Sequence, residues 1–212
     1  MKKILVIGCP GSGKSTFARR LRDRTGLPLY HLDLLWHRPD KTTVSEAEFD
    51  AALAEILRKD RWIIDGNFSR TLERRLAECD TVFLFDLPLA DCIAGVEARI
   101  GTKREDMPWI ETEFDPEFRE FITHFSETRL PNIYALLEKQ AQLDERLKSL
   151  LSDSESISRG IENEVKRLNE LTRLGADSRV KMVTADSAAE EITARTAAAE
   201  GKIAEYGGEI ER

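Results

Sequence analysis

Gly8-Cys9-Pro10-Gly11-Ser12-Gly13-Lys14-Ser15 is the stretch whose reading decides the fold. It fits the phosphate-loop pattern G-x-x-x-x-G-K-[ST], and it stands where that pattern must stand, between a strand and a helix. Ile4-Leu5-Val6-Ile7 before it is a β-branched apolar run suited to a strand covered on both faces. Residues 14–25 after it read as a helix with Phe17, Ala18 and Leu21 on its inner face and Gly26 as its stop. Glycines in such a turn let successive backbone N–H groups converge on an anion, and the helix N-terminus adds its positive end. Gly8, Cys9, Pro10, Gly11, Ser12, Gly13, Lys14, Ser15 and Thr16 are therefore the candidate nucleotide-binding residues. Within them Lys14 is expected between the β- and γ-phosphates, the Ser15 hydroxyl on Mg²⁺, and Thr16 at the α-phosphate.

Outward from this loop the pattern repeats. Further apolar strands are expected at residues 29–32, 62–64 and 81–85, ending in Asp33, Asp65 and Asp86, with helices between them. Ser45 and Glu48 form a capping box ahead of the stripe Phe49, Leu53, Ile56, Leu57. Strands alternating with helices make a parallel sheet, which binds ligands at the carboxyl ends of its strands. Asp65, after Trp62-Ile63-Ile64, reads as a carboxylate for Mg²⁺, with a helix cap as the competing reading. Asp33 reads as a general base for an acceptor hydroxyl, a contact to an acceptor base, or a turn residue. Asp86, before Leu87-Pro88, reads as a structural cap or as a group that supports the site residues from behind. Arg99, Lys103 and Arg104 cluster ahead of a polar loop, and at least one is expected to reach phosphate, because a guanidinium pairs two oxygens at once. Arg38 is a candidate for acceptor phosphate, while its neighbour Trp36 is read either as stacking on a base or as core. Phe118, Phe121, Ile122 and Phe125 fall at helical spacing and read as core, and His124 as structural.

The 212 residues, 41% apolar and 33% charged, are enough for one domain with an appendage. No run approaches the roughly 18 apolar residues of a membrane span. The apolar run after Lys2-Lys3 is too short for a signal peptide, so a cytoplasmic protein is expected. Cys9, Cys79 and Cys92 lack metal-ligand spacing and argue against a disulfide scaffold. The net charge of −7 is uneven: residues 1–110 carry 18 Lys+Arg against 17 Asp+Glu, and residues 111–212 carry 14 against 22. The acidity thus belongs to the later half and says nothing against polyphosphate binding at the front, and it disfavours a broad nucleic-acid surface.

The last 80 or so residues differ in character. Positions 143, 147, 150, 154, 157, 161, 164, 168 and 171 keep 4-3 spacing, and seven of the nine are Leu or Ile, broken by Ser154 and Glu164. Val180-Lys181-Met182-Val183 reads as a further strand, followed by a helix over residues 187–198. A continuous helix over 131–174 would carry the chain about 65 Å, and five residues can return it only about 17 Å. Either the segment folds back near 152–160 as two antiparallel helices, or the strand is donated to a partner chain. A homodimer through residues 139–174 is expected from the exposed stripe. Gly201 and Gly207-Gly208 read as frayed helix in a tail, residues 197–212.

Several stretches resemble a known family. The loop at 8–15, Asp65-Gly66 followed by Ser69-Arg70-Thr71, and Phe85-Asp86-Leu87-Pro88 look like the adenylate-kinase-like P-loop kinases. Tyr30-His31-Leu32-Asp33, Trp62-Ile63-Ile64-Asp65-Gly66-Asn67-Phe68-Ser69 and Arg104-Glu105-Asp106-Met107-Pro108 look more closely like its topology modulation protein branch. The resemblance covers residues 1–138 and, more weakly, 179–196, where Val183-Thr184-Ala185-Asp186-Ser187 looks like the fifth strand and last helix. It implies an α/β P-loop NTPase fold: a three-layer sandwich on a five-stranded parallel sheet in order 2-3-1-4-5, with residues 139–178 as a helical-hairpin insertion before the last strand. It also implies ATP and Mg²⁺, Arg70 on an acceptor phosphate, and a lid drawing on Arg99, Lys103 and Arg104. The expected function is an ATP/Mg-dependent kinase of a small acceptor, a nucleotide or nucleoside, with Lys14, Asp33, Arg70, Arg99 and Arg104 catalytic and Ser15 and Asp65 holding the metal. The alternative is a nucleotide-dependent regulatory protein whose helical insertion binds a partner or itself.

Overall fold

In a computed structural model the backbone is described for residues 1–174 and 179–210, and side chains for 1–172 and 187–205. The chain divides into two units, Met1–Gln140 and Ala141–Arg212.

The first unit is built on four parallel strands in the order β2-β3-β1-β4: β1 Lys3–Gly8, β2 Leu29–His31, β3 Trp62–Asp65 and β4 Thr81–Phe85. In register, Val6 of β1 lies beside Asp65, Gly8 beside Phe85, and His31 of β2 beside Asp65. The strand ends carrying Gly8, His31 and Asp65 therefore share one edge of the sheet. Side chains alternate across a strand, so each face has its own core. Ile4, Val6 and Ile63 pack with Ala18, Phe17 and Leu21 of α1 (Lys14–Thr25). Leu5, Ile7, Trp62 and Ile64 face the opposite layer, which includes α3 (Glu46–Leu57), α4 (Leu72–Glu78) and α5 (Leu89–Glu97). Further along, α6 (Pro116–Thr123) and α7 (Phe125–Thr128) add Ile122 and Phe125 to that layer, and Leu130 and Ile133 open α8 (Leu130–Leu174). A short helix, α2 (Leu32–Trp36), follows β2 directly. The result is three layers, helix on sheet on helices.

The fifth strand expected at Val180-Lys181-Met182-Val183 is corrected: the backbone there belongs to α9 (Arg179–Ile210). A four-residue apolar run fits a strand or a helix equally, and the alanine-rich sequence downstream favours helix. The Asp186 end of that expectation, like all side chains over 173–186, lies outside the described residues. The expected fold-back near 152–160 is likewise absent, for α8 runs unbroken through Ser152 and Gly160 to Leu174. Once residues 180–183 are helical, no strand has to return to the sheet, and the geometric need for the turn disappears.

In the second unit α8 keeps positions 150, 154, 161, 164, 168 and 171 partly buried, and α9 positions 188, 189, 192, 196 and 199. Leu143, Leu147, Leu151, Ile157 and Val165 are exposed. No helix among the described residues is long and apolar enough to cross a membrane.

Candidate active site

The loop between β1 and α1 is shaped by contact with its neighbours. A Cβ on Gly8 would collide with the backbone of Phe85 on β4, and one on Gly11 with the carbonyl of Cys92 on α5. Gly95, one turn further along α5, meets the Gly11 carbonyl in the same way. Gly11 also sits at φ +83°, where L side chains are strained, so both its backbone and its surroundings require glycine. Lys14 folds back over the loop and donates from Nζ to the Cys9 carbonyl at 2.7 Å. Only 8% of Lys14 is exposed. Burial pushes its ammonium pKa down, against the opposing pull of Asp65, then Cys9 and Asp33. The Ser12 hydroxyl is buried without a partner among the described residues. Burial, with Cys92 close by, raises the Cys9 thiol to about 12, so Cys9 serves the loop by its backbone rather than as a nucleophile.

At the adjoining strand ends, His31 Nδ1 lies 2.8 Å from Asp65 Oδ2 with both residues buried. Asp65 Oδ1 and His31 Nε2 are buried with no hydrogen-bond partner among the described residues. Asp33, in α2, is within electrostatic reach of both Lys14 and Asp65. Burial first, then Asp65 and Asp106, raise its carboxyl to about 6, against Lys14 and Arg104. The turn after β3 is held from both sides. Asn67 exchanges two hydrogen bonds with Gly8, accepting from its N–H at 3.0 Å and donating to its carbonyl at 2.8 Å. The fully buried Arg75 donates to the carbonyls of Gly66, Asn67 and Phe68. That clamp keeps Phe68 at φ +37°, uncommon for an aromatic residue, with its ring stacked on Phe49.

The loop after α5 supplies charge of both signs. Arg99 and Arg104 both face Glu111, at 3.1 and 3.2 Å, and Arg104 also pairs with Asp106 at 3.2 Å. Asp106, 4% exposed, receives Arg19 of α1 at 3.3 Å as well. Burial pushes the Asp106 carboxyl up, but Arg104, its own backbone, His31 and the Ser15 hydroxyl together hold it below its ordinary value. Thr16 accepts from Arg19 at 3.1 Å. Lys103 is exposed. Arg70 lies apart from this group, giving both terminal nitrogens to Asp50 of α3 at 2.8 Å, with Glu46 at 3.7 Å. Trp36 packs edge-on against Phe49 and Phe68, and Arg38 turns to the Thr43 carbonyl and Glu48. Asp86 accepts from the Tyr134 hydroxyl at 2.8 Å.

Sequence reasoning thus places Lys14, Ser15, Asp33, Asp65, Arg99 and Arg104 around one edge of the sheet, and it misses His31, Asp106, Glu111 and Arg75. His31 and Asp106 stand inside the quoted family-like stretches, which was the available signal. For a magnesium ion, Ser15 and the unpartnered Asp65 oxygen are suitable hard-oxygen groups. Among the described residues no three His, Cys, Asp or Glu side chains converge as a ready-made metal cage. Magnesium needs none, being held through one or two carboxylates plus substrate phosphates.

No family model matches the chain. Adenylate kinases of Thermotoga neapolitana and Thermotoga maritima are each 30% identical to it over 88 residues, 41% of this chain and 39% of the relative. The chain thus matches about two-fifths of the length of these curated relatives, and the relationship to adenylate kinase is a distant one.

Proposed function

We propose, from the distant likeness to adenylate kinase and the site above, that the chain is a cytoplasmic phosphotransferase of the topology modulation branch, moving the γ-phosphate of ATP to a small acceptor, a nucleoside or nucleotide. The observation that carries this is the buried Lys14, folded over a phosphate loop and within electrostatic reach of both Asp65 and Asp33. The loop Gly8 to Thr16 holds the triphosphate, with backbone N–H groups from Gly11 onward as donors, since Pro10 has none and those of Gly8 and Cys9 go to Asn67 and Phe85, and Lys14 moves from the Cys9 carbonyl to the β- and γ-phosphates. Ser15 and Asp65 hold Mg²⁺, which when bound neutralises charge on the phosphate oxygens. Arg99 and Arg104, now shared with Glu111 and Asp106, turn to the transferring group. For a hydroxyl acceptor the oxygen bonds to the γ-phosphorus while the bond from that phosphorus to the bridging oxygen breaks. The electron pair leaves with ADP, and the hydroxyl proton passes to Asp33. Arg70 stands as the candidate for an acceptor phosphate, and reaching one requires it to leave Asp50 and Glu46. A screen with γ-labelled ATP and magnesium over nucleosides, nucleoside monophosphates and polyols should show label on at least one acceptor. Label released only as inorganic phosphate, or none released, sinks the proposal.

A second reading is a nucleotide-dependent binding protein. The exposed Leu143, Leu147 and Leu151 on α8 favour it, since phosphate transfer does not need them. Capture of a partner that depends on ATP, with no transfer to any acceptor, would support it.

A further inference from the structure

His31 closes β2 beside Asp65, and both side chains are more than nine-tenths buried. Its Nδ1 is spent on Asp65 Oδ2, and its Nε2 is buried with no partner among the described residues. Buried polar atoms in native proteins are satisfied, so an orphan at the edge of a candidate active site points to a ligand. Asp65 holds the ring through Nδ1, and Asp106, paired with Arg104 and Arg19, lies within electrostatic reach of it. The Asp65 carboxylate in contact with the ring disfavours a second anion at this point, and Arg19 and Arg104 are already paired with Asp106. The arginine suited to holding one, Arg70, is engaged in a two-nitrogen pair with Asp50. A hydroxyl suits the place, because it can donate to a bare Nε2 or accept from a protonated one.

We propose that His31 Nε2 receives a hydroxyl of the acceptor, so that the acceptor is an alcohol, a nucleoside or polyol, rather than a phosphate. This rests on the phosphotransferase reading and names its substrate class. The Asp65 carboxylate fixes the ring, and the ring presents the acceptor oxygen beside Asp33.

Two substitutions separate the two ring nitrogens. In His31→Asn the amide can still donate to Asp65 but leaves nothing at the Nε2 position. In His31→Gln the amide reaches toward the Nε2 position and gives up the Asp65 contact. Folding of both is checked by thermal melting. Binding of nucleosides, polyols and 5′-monophosphates is measured by calorimetry with a non-hydrolysable ATP analogue present, and transfer is measured with γ-labelled ATP. We expect an alcohol as acceptor. His31→Asn should raise its KM and Kd by about tenfold or more while leaving kcat within about threefold and the KM for ATP unchanged, and His31→Gln should recover part of the loss. Transfer confined to monophosphates overturns the alcohol assignment and keeps the kinase. An unchanged alcohol Kd in a folded His31→Asn protein overturns the role of His31. Alcohol binding that depends on His31 but gives no transfer keeps the subsite and removes the kinase. Neither binding nor transfer across the whole panel removes both.

Discussion

Asp33 bears on stability and, in the proposed reaction, on proton transfer. With its folded value raised to about 6, it binds a proton more readily in the folded chain than in the unfolded one. Stability from this group therefore falls as pH rises between the ordinary carboxyl value and about 6, and the penalty is complete above that range. At about 1.36 kcal/mol per pKa unit the penalty is on the order of 2 to 3 kcal/mol. Asp33→Asn should accordingly raise the Tm at pH 8, shift it little near pH 4, and depress transfer, while wild-type turnover climbs through pH 6 as the carboxylate forms. Equal Tm gains at both pH values would contradict this. Arg75 works in the opposite direction. Three carbonyls depend on one buried guanidinium, and Arg75→Met leaves them unsatisfied, at about 1 to 3 kcal/mol each at most. We expect at least about 3 kcal/mol of lost stability by denaturant unfolding, with weaker ATP binding in the remaining folded protein, because Asn67 loses its hold on Gly8.

At the scale of elements, the β1–loop–α1 unit was legible because strand, turn and helix each carry their own local signal. The same is true of the α3 cap, where Ser45 and Glu48 make the reciprocal bonds their spacing implies. Ser45→Ala should cost about 1 kcal/mol. The α5–loop contact was not legible, since the spacing between Gly11 and Gly95 says nothing of their meeting. Gly95→Ala must push α5 off the Gly11 carbonyl, and it should weaken ATP binding by calorimetry with little change in helix content by circular dichroism. The burial of Asp106 and Glu111 has no local signal, because burial of a charge is decided by partners far away in sequence. For Asp106 one partner is Arg19, 87 residues back. Residues 180–183 were misread because so short an apolar run lacks a period. The fold-back expected near 152–160 is not needed locally either, since one interior glycine costs only about 1 kcal/mol within a 45-residue helix.

Across the whole molecule, charge and architecture divide at different places. The nearly neutral first 110 residues supply the strand ends and the loop, and the acidic remainder carries the rest of the first unit and all of the second, Ala141–Arg212. The exposed Leu143, Leu147 and Leu151, one helical turn apart, leave an apolar stripe on α8. We expect self-association through it: light scattering at micromolar concentration should give a mass above the monomer, returning to the monomer when the three are replaced by Glu. A monomeric wild type would contradict this. The claim on which the rest depends is that Lys14 and its loop bind the triphosphate of ATP. It is tested most directly by calorimetry of ATP with magnesium on the wild type and on Lys14→Ala. Loss of a charge-assisted contact worth about 1.5 to 3 kcal/mol should weaken ATP by roughly 10- to 150-fold with the fold intact, whereas equal affinity in the two proteins would contradict it.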